Sequence, residues 1–285
     1  MNENNVIELI KNKYDKFSKS NKKIADYILN NSEKVAYMTA AKLGRTVGIS
    51  DSTVVRFAVE LGFLGYPEFL KTLREYVSNK LTSVQRMEIT SSNLEKADIL
   101  EKVINSDIDK LKKTLLETDR DMFNLAIEEI IKARTIYILG VRSSASLAGF
   151  LSFNFNLMFD NVKHIHTNSV SEMFEQILNI GEDDIVIGIS FPRYSRRTIK
   201  ALEYAKKCGA KVIAITDSYR SPLTLNADYP LISRSDMASF ADSLVAPLSL
   251  INAIIVSVAM RKPKEISETL EKLENIWDEY EVYDK

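Results

Sequence analysis

Two stretches of this 285-residue chain set hydroxyls and guanidinium groups at the start of a helix, a combination suited to holding an anion. The first reads Gly140-Val141-Arg142-Ser143-Ser144. The second reads Ser190-Phe191-Pro192-Arg193-Tyr194-Ser195-Arg196-Arg197-Thr198. The exposed N–H groups of a helix start and the helix dipole favour a phosphate there. Ser143 and Ser195 would equally serve as N-caps with no ligand present. Arg142, Arg193, Arg196 and Arg197 either grip a phosphate in a fork or lie on a subunit interface. Glu172 stands where it either meets sugar hydroxyls or answers a helix dipole.

A third stretch carries different chemistry. In TAAKLGRTVGISDSTVVRFAVELG, residues 39–62, apolar Leu43, Val47, Ile49, Val54 and Phe57 are spaced to hold two short helices together. Gly44 is small where the helices would cross, and Gly48 supplies the positive φ of the turn. Ser50 is placed to cap the second helix. On that helix Val54, Phe57, Ala58 and Leu61 form the buried stripe, which turns Ser52, Val55, Arg56 and Val59 outward. Such a helix-turn-helix reads double-stranded DNA: Arg56 reaches guanine O6/N7, Ser52 is a short donor or acceptor, and Val55 packs on a thymine methyl. Thr53 either touches phosphate or supports the first turn. Lys42, Arg45 and Lys71 either contact phosphates or are solvated surface charge. Residues 1–80 hold 13 Lys+Arg against 9 Asp+Glu, and the remainder 25 against 30, so the weakly basic end is the one suited to a polyanion.

The elements needed to place these residues fall into two blocks. Helices are expected at 6–17 and 22–31, the latter capped by Ser20, then the helix-turn-helix, then a helix opened by Pro67. Together they make an all-α bundle of about five helices over 1–78. The polar segment 79–97 reads as a linker, and 98–285 as a second domain. There, after helical patterns at 99–116 and 119–133, short β-branched runs at 135–139, 162–166, 185–189, 211–215 and 229–232 alternate with helices at 143–159, 170–178 and 195–208. This is an α/β pattern with a five-stranded parallel sheet covered on both faces. In such a sheet ligands bind beyond the carboxyl ends of the strands, where both serine-rich stretches fall.

Composition bounds the rest. The chain is 45% hydrophobic and 27% charged, the balance of a soluble globular protein. A single cysteine, Cys208, excludes an intramolecular disulfide and suits a reducing cytoplasm. The only histidines, His164 and His166, read as packed strand residues, and no metal-type cluster is present. The apolar run 241–260 contains Asp242, Pro247 and Asn252, so it reads as a buried or interface helix rather than a membrane span.

The chain resembles the RpiR-type transcriptional regulators along almost its whole length. The resemblance rests on ISDSTVVRFAVELGFLGYPEF at 49–69, GVRSS at 140–144, ISFPRYSRRTIKALEYAKKCGAKVIAITD at 189–217, and SPL with AD at 221–228. It implies an N-terminal helix-turn-helix domain and a C-terminal sugar isomerase (SIS) domain that senses a phosphosugar effector. It places Ser50, Ser52, Thr53 and Arg56 on the recognition helix, and Ser143, Ser144, Ser190, Ser195 and Thr198 on the phosphosugar loops. It further implies a homodimer or homotetramer. Catalytic SIS enzymes show a glycine-rich Ser-x-Ser-Gly-x-Thr turn, whereas Pro192-Arg193-Tyr194 and an arginine pair fill that region here, the look of a sensor. Aldose–ketose isomerisation would need a base, for which Glu172 is the candidate, and usually a ring-opening acid. No histidine lies in 217–243, so neither catalysis nor a cofactor is expected.

Overall fold

A computed structural model describes residues 6–78, 82, 84–87, 98–235 and 241–284, so most of the expected linker lies outside the described residues. The chain divides into two compact units that part between Ala97 and Asp98.

The first unit is all helical: α1 (Val6–Lys13), α2 (Lys19–Asn30), α3 (Ser32–Val35), α4 (Ala40–Val47), α5 (Asp51–Leu61) and α6 (Tyr66–Ser78), with a 3-10 turn at Tyr14–Lys16. Its core gathers Ile10, Ile24, Ile28, Leu43, Phe57, Phe69 and Leu73, each at most 1% exposed. Two details correct the sequence reading. Ser18, not Ser20, caps α2, its hydroxyl accepting from Asn21 N at 3.2 Å. Lys19 and Ser20 form a polar first turn in which apolar periodicity has no signal. Against the about five helices expected over 1–78, the described residues of 6–78 form six, because α3 is a single turn, too short to show a period.

The second unit holds α7 (Ile99–Glu117) and α8 (Arg120–Lys132), then the alternating elements β1 (Ile136–Gly140), α9 (Ser143–Phe155), β2 (Val162–Ile165), α10 (Val170–Gln176), β3 (Ile185–Ile189), α11 (Arg196–Lys207), β4 (Lys211–Thr216) and β5 (Tyr229–Ile232), and finally α12 (Val245–Ala259) and α13 (Pro263–Glu279). The five strands are parallel in the order β2-β1-β3-β4-β5, with Gly140 opposite Ile189. β1 and β3 are buried along their whole length, as continuous apolar runs in a two-sided sheet must be. One core lies against Ile136, Ile138, Ile187 and Ile213, and the other against Tyr137, Leu139, Val186 and Val212. Alternate residues of each strand thus serve opposite faces. Pro247 sits in the first turn of α12, where no N–H is needed, and that helix buries Pro247, Leu250, Ile251, Ile254 and Val258. Among the described residues no single helix is long and apolar enough to cross a membrane.

The histidines behave differently from each other. His164 is half-buried on β2, and burial, with His166 second, pushes its pKa below the usual value. His166 is exposed, contrary to expectation, because the pairing of β2 ends at Ile165.

At the opposite edge of the sheet Asp184 ties β3 to the loop before β1. Arg134 donates to it through Nε at 3.0 Å and Nη2 at 2.7 Å, and Gly181 N adds a third bond at 2.9 Å. Burial opposes its ionisation, but Arg134, Gly181 and Thr135 outweigh that and hold the carboxyl below its usual pKa. A depressed folded-state pKa means a contribution present above the unfolded value, about 3.9, and lost as pH falls through the folded one. Asp184→Asn should therefore cost about 1–3 kcal/mol at neutral pH and flatten the acid limb of the unfolding curve. Urea titrations from pH 7 down to the onset of acid unfolding check this, and an unchanged slope would remove Asp184 from that role.

Candidate functional site

The α4–α5 pair is built by backbone geometry as much as by packing. Thr39 caps α4 by accepting from Lys42 N at 3.1 Å, and Gly48 closes it at φ 70°, the left-handed conformation a side chain disfavours. At Gly44 an added Cβ would lie 2.5 Å from the Ile49 carbonyl oxygen, so only glycine lets the helices cross this closely. Ser50 then caps α5, accepting from Thr53 N at 3.3 Å. Val54, Phe57, Ala58 and Leu61 are buried beneath it, and Ser52, Val55, Arg56 and Val59 are exposed.

Hydroxyls and guanidinium on the open face are organised. Ser50 Oγ lies 3.0 Å from Ser52 Oγ and 2.8 Å from Thr53 Oγ1, and Arg56 Nη2 donates to Thr53 Oγ1 at 3.2 Å. Thr53 thus steadies Arg56 at the edge of the face, a contact that sequence spacing alone did not indicate. Val55 and Val59, 39% and 53% exposed, add an apolar strip with no cover. Lys42 and Arg45 are exposed on α4 and Lys71 on α6, with no hydrogen bond or ion pair joining them to the α5 face.

The second arrangement lies at the carboxyl edge of the sheet. The chain leaves β1 toward β2 on one side and β3 toward β4 on the other, so the strand order reverses between β1 and β3. A crevice opens beyond such a point. There the Gly140–Ser144 and Ser190–Thr198 segments leave from neighbouring strand ends, because Gly140 pairs with Ile189. Gly140 itself touches the first turn of α9; a Cβ there would collide with the Ser144 carbonyl.

The two helix starts differ. α11 is capped from within: Ser190 Oγ accepts from Ser195 N at 3.1 Å, and Ser195 Oγ accepts from Thr198 N at 3.4 Å. α9 has no side-chain cap, and its N-cap Arg142 stands at φ 59°, ψ −123°, a strained conformation for a non-glycine residue. Arg193 also has a positive φ, 65°. Ser143 is exposed and Ser144 buried beside it; Thr198 is fully buried with no hydrogen-bond partner for Oγ1. A buried hydroxyl without a partner costs about 1–3 kcal/mol, so one at a helix start beside the crevice marks stored polarity. Arg142, Arg193 and Arg196 are exposed and Arg197 half-buried around this edge.

Glu172 belongs to the connection between β2 and β3. It stands in the first turn of α10, which follows β2 and packs against α11 with the Phe174 and Tyr204 rings 5.6 Å apart, and its carboxylate accepts from Thr167. Three residues not singled out by spacing complete the β4 side. Thr216 Oγ1 donates to the Ser190 carbonyl at 2.9 Å and lies 2.8 Å from Ser221 Oγ, while Tyr194 OH donates to Asp217 at 2.8 Å. Their one sequence signal is a hydroxyl and a carboxylate at the end of an apolar strand.

Comparison with known proteins agrees with both halves. Residues 4–80 match the helix-turn-helix domain of the rpiR family, and residues 129–257 match the SIS domain. An uncharacterised HTH-type transcriptional regulator of Haemophilus influenzae is 27% identical over 284 residues, 95% of this chain and 96% of that one. The fold is shared with the Vibrio vulnificus NanR protein complexed with ManNAc-6P, at TM-score 0.60 and 21% identity over 97% of this chain and 99% of that one. The sugar isomerase domain of an RpiR transcription factor from Sphaerobacter thermophilus superposes at TM-score 0.58 and 27% identity, over 61% of this chain and 97% of that one. With a reading helix of this geometry before a switch-point sheet of this order, the chain belongs to the RpiR-type helix-turn-helix transcriptional regulators that carry a SIS domain.

Proposed function

We propose that this regulator controls genes of carbohydrate metabolism in the cytoplasm, binding operator DNA through the open face of α5 and a phosphosugar effector in the crevice between β1 and β3. The observation that carries the effector half is the pairing, at the point where strand order reverses, of an uncapped helix start at α9 with the serine-lined start of α11. Phosphate belongs at the α9 N–H groups, with Ser143, Ser144, Ser190, Ser195 and Thr198 donating, Arg142 and Arg193 screening charge, and Glu172 accepting from sugar hydroxyls. The NanR protein, of the same fold, was solved with ManNAc-6P. Ser50, Ser52, Thr53, Val55 and Arg56 meet the major groove, with Lys42, Arg45 and Lys71 as phosphate contacts. The chain acts as a homodimer or homotetramer, so that two recognition helices reach half-sites about one DNA turn apart. Effector binding draws the two strand-end segments together, and reciprocity requires DNA to alter effector affinity by the same factor.

The chain is read as a sensor, not an isomerase. Glu172 is exposed and engaged by Thr167, and no histidine follows His166 in the sequence to open a ring from the loops after β3, β4 or β5.

Selection of genomic fragments by the purified protein, repeated with a panel of sugar phosphates at fixed salt, tests the reading. Enriched fragments whose recovery changes with one sugar phosphate are expected; no enrichment under any condition would end it. On the selected site, Arg56→Ala should cost about 1–3 kcal/mol and relax preference at one base pair. An unchanged preference would take Arg56 off the bases.

A further inference from the structure

The open face of α5 divides into two rows. At about 100° per residue, the line opposite the buried stripe Val54, Phe57, Ala58 and Leu61 passes within about 10° of Ser52 and about 30° of both Arg56 and Val59, with Val55 about 70° to one side. Exposure agrees, Val59 being 53% exposed and Val55 39%. Ser52 and Arg56 make a polar row, and Val55 and Val59, also four residues apart, make an apolar row beside it. Together the four stand at i, i+3, i+4 and i+7, the spacing at which a helix lying in the major groove presents its base contacts. Val59 is thus as central to the face as Arg56, yet it has no group with which to hydrogen-bond a base edge.

Isolated apolar side chains on a surface are ordinary, but these two are neighbours on one face, and valine is a poorer helix former than the alanine, lysine or glutamate that suit an exposed helical position. Its β-branch holds χ1 in one strongly preferred rotamer within a helix, so the methyls are fixed in place before any partner arrives. Polar neighbours are drawn off this part of the face. Glu60 lies on the flank away from Val55, where Asn21 Nδ2 donates to its carboxylate at 2.6 Å and Lys13 Nζ donates to its carbonyl at 2.9 Å. Arg56 is turned back toward the first turn by Thr53.

We propose that Val59, together with Val55, reads the methyl groups of two thymines in each operator half-site. In the major groove the thymine methyl is the apolar feature that marks an A·T pair and its direction. Residues four apart on a helix rise by about 6 Å, close to two base-pair steps of about 3.4 Å, so the two methyls belong to base pairs no more than two steps apart. The strip is continuous with Ser52 and Arg56, and a helix that brings those two to base edges brings Val59 with them. The inference rests on α5 being the helix that enters the groove, and adds that half of its reading is by methyl contact.

Deoxyuridine lacks only that methyl, so it isolates the contact. The full chain first enriches duplexes from a random-sequence library at fixed salt. Each thymine of the enriched half-site is then replaced singly by deoxyuridine, and affinity is measured for the native chain, Val55→Ala and Val59→Ala. Two replacements no more than two base pairs apart should each weaken native binding about fourfold, the factor equivalent to the roughly 0.8 kcal/mol of one buried methyl-sized group. Val59→Ala should lose its response to one of them and Val55→Ala to the other. Both variants should keep the native slope of affinity against salt, because no phosphate contact is removed. Alanine favours the helix, and circular dichroism of each variant checks that the fold is kept. An enriched site indifferent to deoxyuridine throughout, or a response that survives unchanged in Val59→Ala, would overturn the proposal, leave the regulator reading standing and hand the valines to a protein surface. A library from which no sequence is enriched would retire both readings.

Discussion

Gly44→Ala is expected to destabilise the helix-turn-helix unit by about 2 kcal/mol and to abolish operator binding at physiological temperature, while the sheet-bearing unit unfolds as before. Two effects oppose each other. Alanine in a helix interior gains about 1 kcal/mol over glycine, because less backbone freedom is lost on folding. Against that, its Cβ would lie 2.5 Å from the Ile49 carbonyl oxygen. The obstructing atom is backbone, in the turn that aims α5, and cannot rotate aside as a side chain would. Overpacking costs typically about 1–3 kcal/mol, and a rigid neighbour puts this site at or beyond the upper end. The clash wins. Gly48→Ala is the informative comparison, since Gly48 has the positive φ but nothing within 4 Å of an added Cβ. It should cost only the left-handed backbone penalty, about 1–2 kcal/mol, and leave the α4–α5 crossing intact. Thermal unfolding of both variants, together with titration of the selected operator, separates the cases. If Gly44→Ala binds DNA as the native chain does, the crossing is not set by backbone approach.

How much of this was legible in the sequence follows from how local each signal is. The α5 stripe Val54, Phe57, Ala58 and Leu61 is buried as expected, because one helix period decides it. The strand runs 185–189 and 229–232 coincide with β3 and β5 for a similar reason: a β-branched run between turn residues has one reading. Signals a residue or two long fared worse. Ser18 and Ser20 are chemically equivalent caps, and only the path of the chain chooses between them. His164 and His166 look alike in sequence and separate only where pairing with β1 stops. Least legible were contacts across the fold. Tyr194 and Asp217 meet across 23 positions, and Thr216 reaches the Ser190 carbonyl across 26, through a strand pairing no local pattern announces. The absence of a side-chain cap on α9 is likewise a matter of backbone path, since Arg142 turns to φ 59° where Ser143 was positioned to be the cap. Open faces such as the apolar stripe of α13, none of whose residues is buried, look in sequence like any core-facing stripe. Only burial tells them apart.

Ser195→Asp should abolish effector binding without disturbing the fold, and the sign of each half comes from a different term. Ser195 caps α11 by accepting from Thr198 N. Aspartate caps as well as serine and adds a favourable charge at the positive end of the dipole, so the melting temperature should hold or rise slightly. For a phosphate in the crevice the same carboxylate is a like charge. At about 5 Å and an effective dielectric near 20, each pair of unit charges repels by roughly 3 kcal/mol, and a phosphosugar dianion meets that twice. Even after discounting for the open, solvated edge, a loss of at least about a hundredfold in affinity is expected. Ser195→Ala inverts the pattern: it loses the cap, about 1 kcal/mol of stability, but places no charge in the crevice and should weaken binding only modestly. Calorimetric titration with the sugar phosphate recovered from the fragment selection, beside thermal unfolding of both variants, reads the two terms separately. If the aspartate variant binds that effector normally, Ser195 is a helix cap and nothing more, and the anion sits elsewhere than between β1 and β3. If it fails to bind while melting as the native chain does, the charge and not the fold is responsible, because the one property Asp and Ser share at this position is the cap.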